Sequence, residues 1–133
     1  MWKPINFPFK LVIFLGLLLI LIVLYLFPGS ILGCFLYDDC NLQPQITPDY
    51  IVSTNHLYAF LLLSIIGFFT FKKWNQFFPL SIYLILLSIS LELAHFIIPI
   101  KSFEFSDLFG NLIGVIIITI IVYFFKKNEN IKN

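Results

Sequence analysis

Four uncharged, strongly apolar runs divide the chain, and short segments between them carry nearly all of its charges. Each run is about 17–22 residues long, the length of helix that crosses a hydrocarbon core of about 30 Å, and none alternates polar and apolar residues. The predicted spans built on these runs cover residues 11–27, 55–71, 77–98 and 107–125, and so take in Glu92 and Asp107. This pattern predicts an all-α membrane protein, built as a four-transmembrane-helix bundle in a single domain over residues 1–133.

Composition excludes the soluble globular class. Residues of the set AVILMFWYC make up 60% of the chain and charged residues only 11%, whereas an ordinary soluble domain has about 45–50% apolar and about 25% charged residues. The formal net charge is +1 and the sequence contains no arginine. Because neither feature suits a phosphate backbone, nucleic acid is not an expected partner.

The lysines predict the orientation of the bundle. The connection over residues 28–54 has no lysine and three aspartates, and the connection over 99–107 has a single lysine, Lys101. The other seven lysines fall on the opposite side of an even-numbered bundle: Lys3, Lys10, Lys72, Lys73, Lys126, Lys127 and Lys132. By the positive-inside rule, we expect a multi-pass protein of the cell membrane with both termini in the cytoplasm and with loops 28–54 and 99–107 facing outward.

Both cysteines of the chain, Cys34 and Cys40, fall in the outer loop 28–54. Outside the membrane a disulfide between them is chemically permitted and would close a small ring. The alternative is a lipoprotein signal, in which the N-terminal lysines and first apolar run lead to cleavage before a lipidated Cys34. The bulky Leu32 and the unpaired Cys40 that cleavage would leave both disfavour this alternative.

Polar residues collect near the predicted outer ends of the spans. An ionisable group at membrane depth costs about 2.5–3.5 kcal/mol and is a functional candidate by default. The candidates come from three helices, and are His56, beside Asn55, together with Glu92, His95, Asp107, Asn111 and Gly114. Their shared side predicts an outward-facing polar pocket, whereas the inner half of the bundle reads as plain lipid-compatible packing.

Each of these residues also has a purely structural interpretation. Glu92 can be protonated in lipid or can bond a neighbouring helix. Asp107 suits the N-terminus of a helix, and Asn111 and Gly114 are typical of helix contacts. His56 can simply lie at the membrane interface. These interpretations explain each residue singly. They do not explain why all of the residues lie in the same half of the predicted bundle.

Glu92 and His95 form an E-x-x-H pair, a spacing that can place two ligands on one metal ion. Two ligands are too few for a protein metal site, and no cysteine lies nearby. No metal and no cofactor is therefore predicted, unless His56 and Asp107 complete the ligand shell.

The segment from Leu91 to Gly114 resembles the signature of the VanZ-like family, approximately E-x-x-Q-x-x-x-P-x-R followed by D-x-x-x-N-x-x-G-x-x-x-G. The matching positions are Glu92, Pro99, Asp107, Asn111 and Gly114, and His56 with Phe60 stands where the family has a His followed by a Tyr. The departures are His95 for Gln, Lys101 for Arg and Ile118 for the second Gly. The resemblance covers about residues 50–125.

VanZ-like proteins are small bacterial polytopic membrane proteins, and the founding member is associated with resistance to the glycopeptide teicoplanin. The resemblance implies an integral protein of the cell envelope, related to such resistance. We expect its pocket to bind an anionic or lipid-linked envelope component, for instance a cell-wall precursor, besides membrane lipids. The expected ligand-binding residues are Lys101, Asp107, Asn111 and Gly114, with Lys101 meeting the negative group as a point charge.

Two further interpretations use the same residues. In one, the protein is a membrane-embedded hydrolase or transferase, with His56 or His95 as general base and Glu92 as its partner. That interpretation lacks a convincing nucleophile. In the other, the protein is a non-catalytic assembly subunit, whose polar residues hold a helix of another membrane protein.

Overall fold

The computed structural model describes residues 5–132, and over that range it contains five α-helices and no strand. The helices are α1 (Phe7–Leu26), α2 (Ile31–Tyr37), α3 (Thr54–Thr70), α4 (Trp74–Ala94) and α5 (Phe105–Lys132). Lys3 and the side chain of Lys132, which contribute to the orientation argument, lie outside the described part. The predicted all-α class is confirmed.

Three of the helices, α1, α4 and α5, are long and apolar enough to cross a membrane. The central helix α3 is also apolar but shorter, with 17 residues. By length and composition, the chain therefore belongs among multi-pass membrane proteins.

Helix ends differ from the predicted spans where local hydrogen bonding intervenes. α1 begins earlier, because Asn6 caps it by accepting from the Phe9 N–H at 3.3 Å. α4 ends at Ala94 instead of residue 98, since the next three N–H groups bond three residues back, and the residue before Pro99 is disfavoured in helix. α5 continues past residue 125 to Lys132, because no Gly or Pro interrupts its polar end.

The loop over residues 28–54, called the outer loop after its predicted side, contains a short helix, α2, that the apolar pattern did not predict. The Ser30 hydroxyl caps it by accepting from the Gly33 N–H at 3.0 Å, and it ends at Asp38, whose φ of 51° is left-handed. A disulfide joins Cys34 in this helix to Cys40 in the following turn. The loop is thus a folded segment closed by a disulfide.

α3 is the centre of the bundle and packs most extensively against α5, with further contacts to α1 and α4. The innermost apolar side chains, all fully buried, are Phe60, Leu63, Leu84 and Val115. At the C-terminal end of α3, Lys10 and Lys72 both lie over the ring of Phe69, at 4.4 and 4.8 Å. The polar residues described next lie at the opposite end of α3.

Candidate functional site

Two glycines of α5 bring that helix directly against α3. A Cβ at Gly110 would lie 2.5 Å from the carbonyl oxygen of Ser53, and a Cβ at Gly114 would lie 2.8 Å from that of Leu57. The pair has the G-x-x-x-G spacing that is typical of close helix contacts in membranes, and this spacing was the signal for Gly110, which the sequence prediction missed. The close approach sets the first turns of α3 and α5 side by side.

His56, in the first turn of α3, lies between two side chains of α5. Its Nε2 is 3.5 Å from Oδ2 of Asp107, and its Nδ1 is 3.2 Å from Oδ1 of Asn111. The Asn111 amide is oriented by the Tyr25 hydroxyl, which donates to Oδ1 at 2.6 Å, and its Nδ2 donates to the Ser88 carbonyl at 3.5 Å. Because an amide oxygen only accepts, Nδ1 of His56 is the donor, and a neutral ring directs its Nε2 lone pair toward Asp107.

Glu92, near the end of α4, is completely buried, with 0% of its surface exposed. Its Oε1 accepts from the backbone N–H of Glu104 at 3.0 Å and lies 3.2 Å from Nδ1 of His95. Nε2 of His95 lies 3.0 Å from the backbone carbonyl oxygen of Tyr25. Both ring nitrogens of His95 therefore face protein acceptors, one in the Glu92 carboxylate and one in the Tyr25 backbone carbonyl.

The second carboxylate oxygen of Glu92 lacks a hydrogen-bond partner in the described part of the chain. This Oε2 atom is buried and lies 4.0 Å from Nδ1 of His56, beyond hydrogen-bond range. One ligand atom from each of His56, Glu92 and Asp107 lies within 4.8 Å of the other two. The structure thus brings His56 and Asp107 close to Glu92, as the sequence argument required for a metal site. His95 is not part of this group, because both of its ring nitrogens face protein acceptors.

Tyr25 of α1 is a site residue that sequence reasoning missed. Besides its bond to Asn111, its ring meets the His56 ring edge-on at 4.9 Å and stacks on that of His95 at 6.0 Å. The sequence does contain an indication of this role, because Tyr25 is the only polar side chain between residues 11 and 26. A hydroxyl buried among apolar residues needs a partner, and Asn111 provides it.

A cavity of about 720 Å³ adjoins this cluster. Part of its lining is aliphatic, from α1, the outer loop and α3: Leu21, Leu24, Leu32, Leu36, Ile46 and Leu62. Another part is polar: Tyr25, Asn55, His56, His95, Lys101, Ser102, Glu104 and Asp107. The cavity therefore combines an apolar wall with a charged one.

Lys101, in the connection between α4 and α5, is the lysine of the charged wall. It is partly buried, and its Nζ donates to the Leu24 carbonyl oxygen at 3.5 Å. Burial lowers the pKa of Lys101 from its usual range, and the carboxylates of Glu92 and Asp107 act in the opposite direction.

Of the other three predicted ligand-binding residues, only one lines the cavity. Asp107 lines the cavity. Asn111 is fully buried behind His56, so it supports the wall instead of facing a ligand. Gly114 lies in the contact between α5 and α3, away from the lining. Asn55 holds the outer loop by accepting from the Ile46 N–H at 3.0 Å.

No family model, curated relative or solved structure matches the chain.

Proposed function

We propose that the chain is a VanZ-like protein of the cell envelope, with four membrane spans and both termini in the cytoplasm. The length of α3 supports a fourth span, because its 17 residues, at about 1.5 Å each, rise about 25 Å and so approach the thickness of a hydrocarbon core. The gathering of Lys10 and Lys72 at one end of α3 supports the orientation. The convergence of Glu92, Asp107 and Asn111 on one site supports a common role for the residues of the VanZ-like segment.

The pocket of this protein binds the anionic head of a lipid-linked envelope component. The observation that carries this proposal is the mixed lining of the cavity, in which aliphatic side chains of α1 and α3 share the wall with Lys101. The carboxylates of Glu104 and Asp107 also line it, so the negative group has to lie on the Lys101 side. A lipid-linked phosphate is amphipathic in the same way, with a hydrocarbon chain for the apolar wall and a negative group for the lysine. At this position a lysine provides a point charge without the bidentate geometry of arginine.

The test is binding of a polyprenyl diphosphate to the purified full chain in detergent, followed by native mass spectrometry. Lys101→Gln removes the positive charge from the cavity, and we expect affinity to fall about tenfold, which corresponds to about 1.4 kcal/mol. The control is Lys127→Gln, which removes the same charge from an exposed position at the other end of the bundle. Equal affinities of Lys101→Gln and the unmodified chain would refute the proposal. In cells, the VanZ-like resemblance adds the expectation that Lys101→Gln increases susceptibility to teicoplanin.

Hydrolysis or group transfer is a second candidate function, and the position of His56 favours it. His56 lines the cavity, and Asp107 lies 3.5 Å from its Nε2, where a carboxylate would stabilise the imidazolium that forms when His56 accepts a proton. His95 fits a positioning role better, since both of its nitrogens face protein acceptors. Phosphate release from the same polyprenyl diphosphate, abolished by His56→Ala and retained in Glu104→Gln, would support catalysis, whereas binding without turnover would exclude it for this substrate.

A further inference from the structure

We propose that His56, Glu92 and Asp107 form a binding site for a divalent transition-metal ion of the Zn²⁺ type. The three residues come from α3, α4 and α5, and one ligand atom of each lies within 4.8 Å of the others. Ligands about 2.0–2.1 Å from a tetrahedral ion are about 3.4 Å apart. The 3.5 Å between His56 Nε2 and Asp107 Oδ2 already has this value. Glu92 must move closer to complete the site, since its Oε2 lies 4.0 Å from the His56 ring at Nδ1.

The chemistry of the ligand set selects the ion. One imidazole nitrogen and two carboxylate oxygens suit Zn²⁺, whereas Mg²⁺ and Ca²⁺ favour shells made entirely of oxygen. Three protein ligands leave a fourth coordination position open. Because His56 and Asp107 also line the cavity, that open position is accessible from it.

The unpartnered oxygen of Glu92 is an independent observation that points to a cation. Oε2 is buried without a hydrogen bond, while Oε1 is held by His95 and by the Glu104 N–H. A buried oxygen left without a partner is destabilising, and more so when it is charged. Among the described residues, no lysine lies within 4.0 Å of Glu92 or Asp107. A bound metal ion supplies the missing partner.

The surrounding hydrogen bonds also match those of a metal site. A histidine that binds a metal through one nitrogen commonly donates from the other to a protein oxygen, which fixes the ring and its tautomer. His56 has this arrangement, with Nδ1 donating to Asn111 and Nε2 directed toward Asp107. The Tyr25 hydroxyl holds the Asn111 oxygen in place.

This site opens on the same cavity as the anion-binding proposal, but it uses different residues, and it competes with the catalytic proposal. A coordinated Nε2 has no free lone pair, so a metal-bound His56 cannot act as a general base. The anion-binding test depends on Lys101, whereas the metal test uses Zn²⁺ alone, and the two proposals can therefore fail separately.

The test is calorimetric titration of the purified, metal-free full chain in detergent with Zn²⁺. We expect one ion per chain, with affinity reduced at least tenfold in His56→Ala and in Asp107→Asn. Glu104→Gln is the matched control, because it removes an equal negative charge from an exposed cavity-lining residue that lies outside the triad. We expect its affinity to equal that of the unmodified chain.

Unchanged Zn²⁺ affinity in both triad variants would overturn the proposal, and so would an equal loss in Glu104→Gln. X-ray absorption of the Zn²⁺-loaded unmodified chain keeps the proposal testable if the variants fail to fold. The expected spectrum shows one imidazole together with oxygen ligands. A spectrum without imidazole scattering would show that the ion binds elsewhere.

Discussion

Asn111 shows how a single buried amide organises residues from several helices. Its Oδ1 receives the Tyr25 hydroxyl of α1 and faces His56 of α3, while its Nδ2 reaches the Ser88 carbonyl of α4. All four long helices therefore meet at one side chain. Each of these bonds satisfies a polar group that would otherwise be unpaired in the apolar interior. A buried amide is tolerated there for this reason.

Removing the Tyr25 hydroxyl tests this network at the scale of one atom. Tyr25→Phe eliminates the 2.6 Å bond to Asn111 while keeping the ring, and we expect the free energy of unfolding in mixed micelles to fall by about 0.5–1.5 kcal/mol. Tyr83→Phe is the control, since Tyr83 is 43% exposed on α4, and its effect should stay within about 0.5 kcal/mol. Equal effects of the two substitutions would mean that the buried hydroxyl contributes nothing specific.

At the scale of elements, the contact between α3 and α5 determines the geometry of the site. Gly110 and Gly114 allow the two backbones to approach, and Ser53 N–H donates to the Ser106 carbonyl at 3.1 Å where the helices begin. This contact places Asp107 beside His56. Without it, the carboxylate and the imidazole would belong to separate helix surfaces.

A methyl group at Gly114 should separate these helices. Gly114→Ala places Cβ 2.8 Å from the Leu57 carbonyl oxygen and 3.0 Å from the Leu61 nitrogen, and because backbone atoms cannot rotate away, we expect a loss of about 1–3 kcal/mol in the free energy of unfolding. Gly16→Ala is the matched control, because nothing lies within 4 Å of its added Cβ. That substitution should be neutral or should stabilise by up to about 1 kcal/mol. A stable Gly114→Ala protein would contradict the close packing described.

At the scale of the whole molecule, charge is separated along the bundle. Lys10 and Lys72 lie at one end of α3, and His56 lies at the other with Asp107 and the folded outer loop. Between the two ends the buried side chains carry no charge and are mainly apolar, with Leu63 and Leu84 fully buried beside the small hydroxyl of Ser64. This asymmetry supports the proposed orientation, in which the lysines remain on the cytoplasmic side.

Reporter fusions test that orientation. We expect alkaline phosphatase to be active when fused after Tyr50, at the end of the outer loop, and inactive when fused after Asn133. A fluorescent protein that matures only in the cytoplasm provides the reciprocal control at both positions. Active phosphatase after Asn133 would refute the cytoplasmic C-terminus. Together with active phosphatase after Tyr50, it would indicate three spans and exclude α3 as a fourth.

Helix boundaries within the bundle could be predicted only approximately. The apolar runs indicate helices because an apolar segment in lipid must satisfy its backbone internally. Local hydrogen bonds then moved individual ends, as at Asn6 and before Pro99, and created α2 within a segment that carries no long apolar run. Such capping depends on a few side chains, which change the hydropathy profile very little.

The sequence by itself determined the all-helical membrane class and the concentration of polar residues toward one side, because both follow from the length and composition of single segments. Only the tertiary structure decided which residues meet: His56 with Asp107, Glu92 with His95, and Tyr25 with Asn111. The physical reason is that hydropathy describes each helix separately. The relative rotation and depth of the helices depend on close packing, here on two glycines whose missing side chains bring α5 against α3.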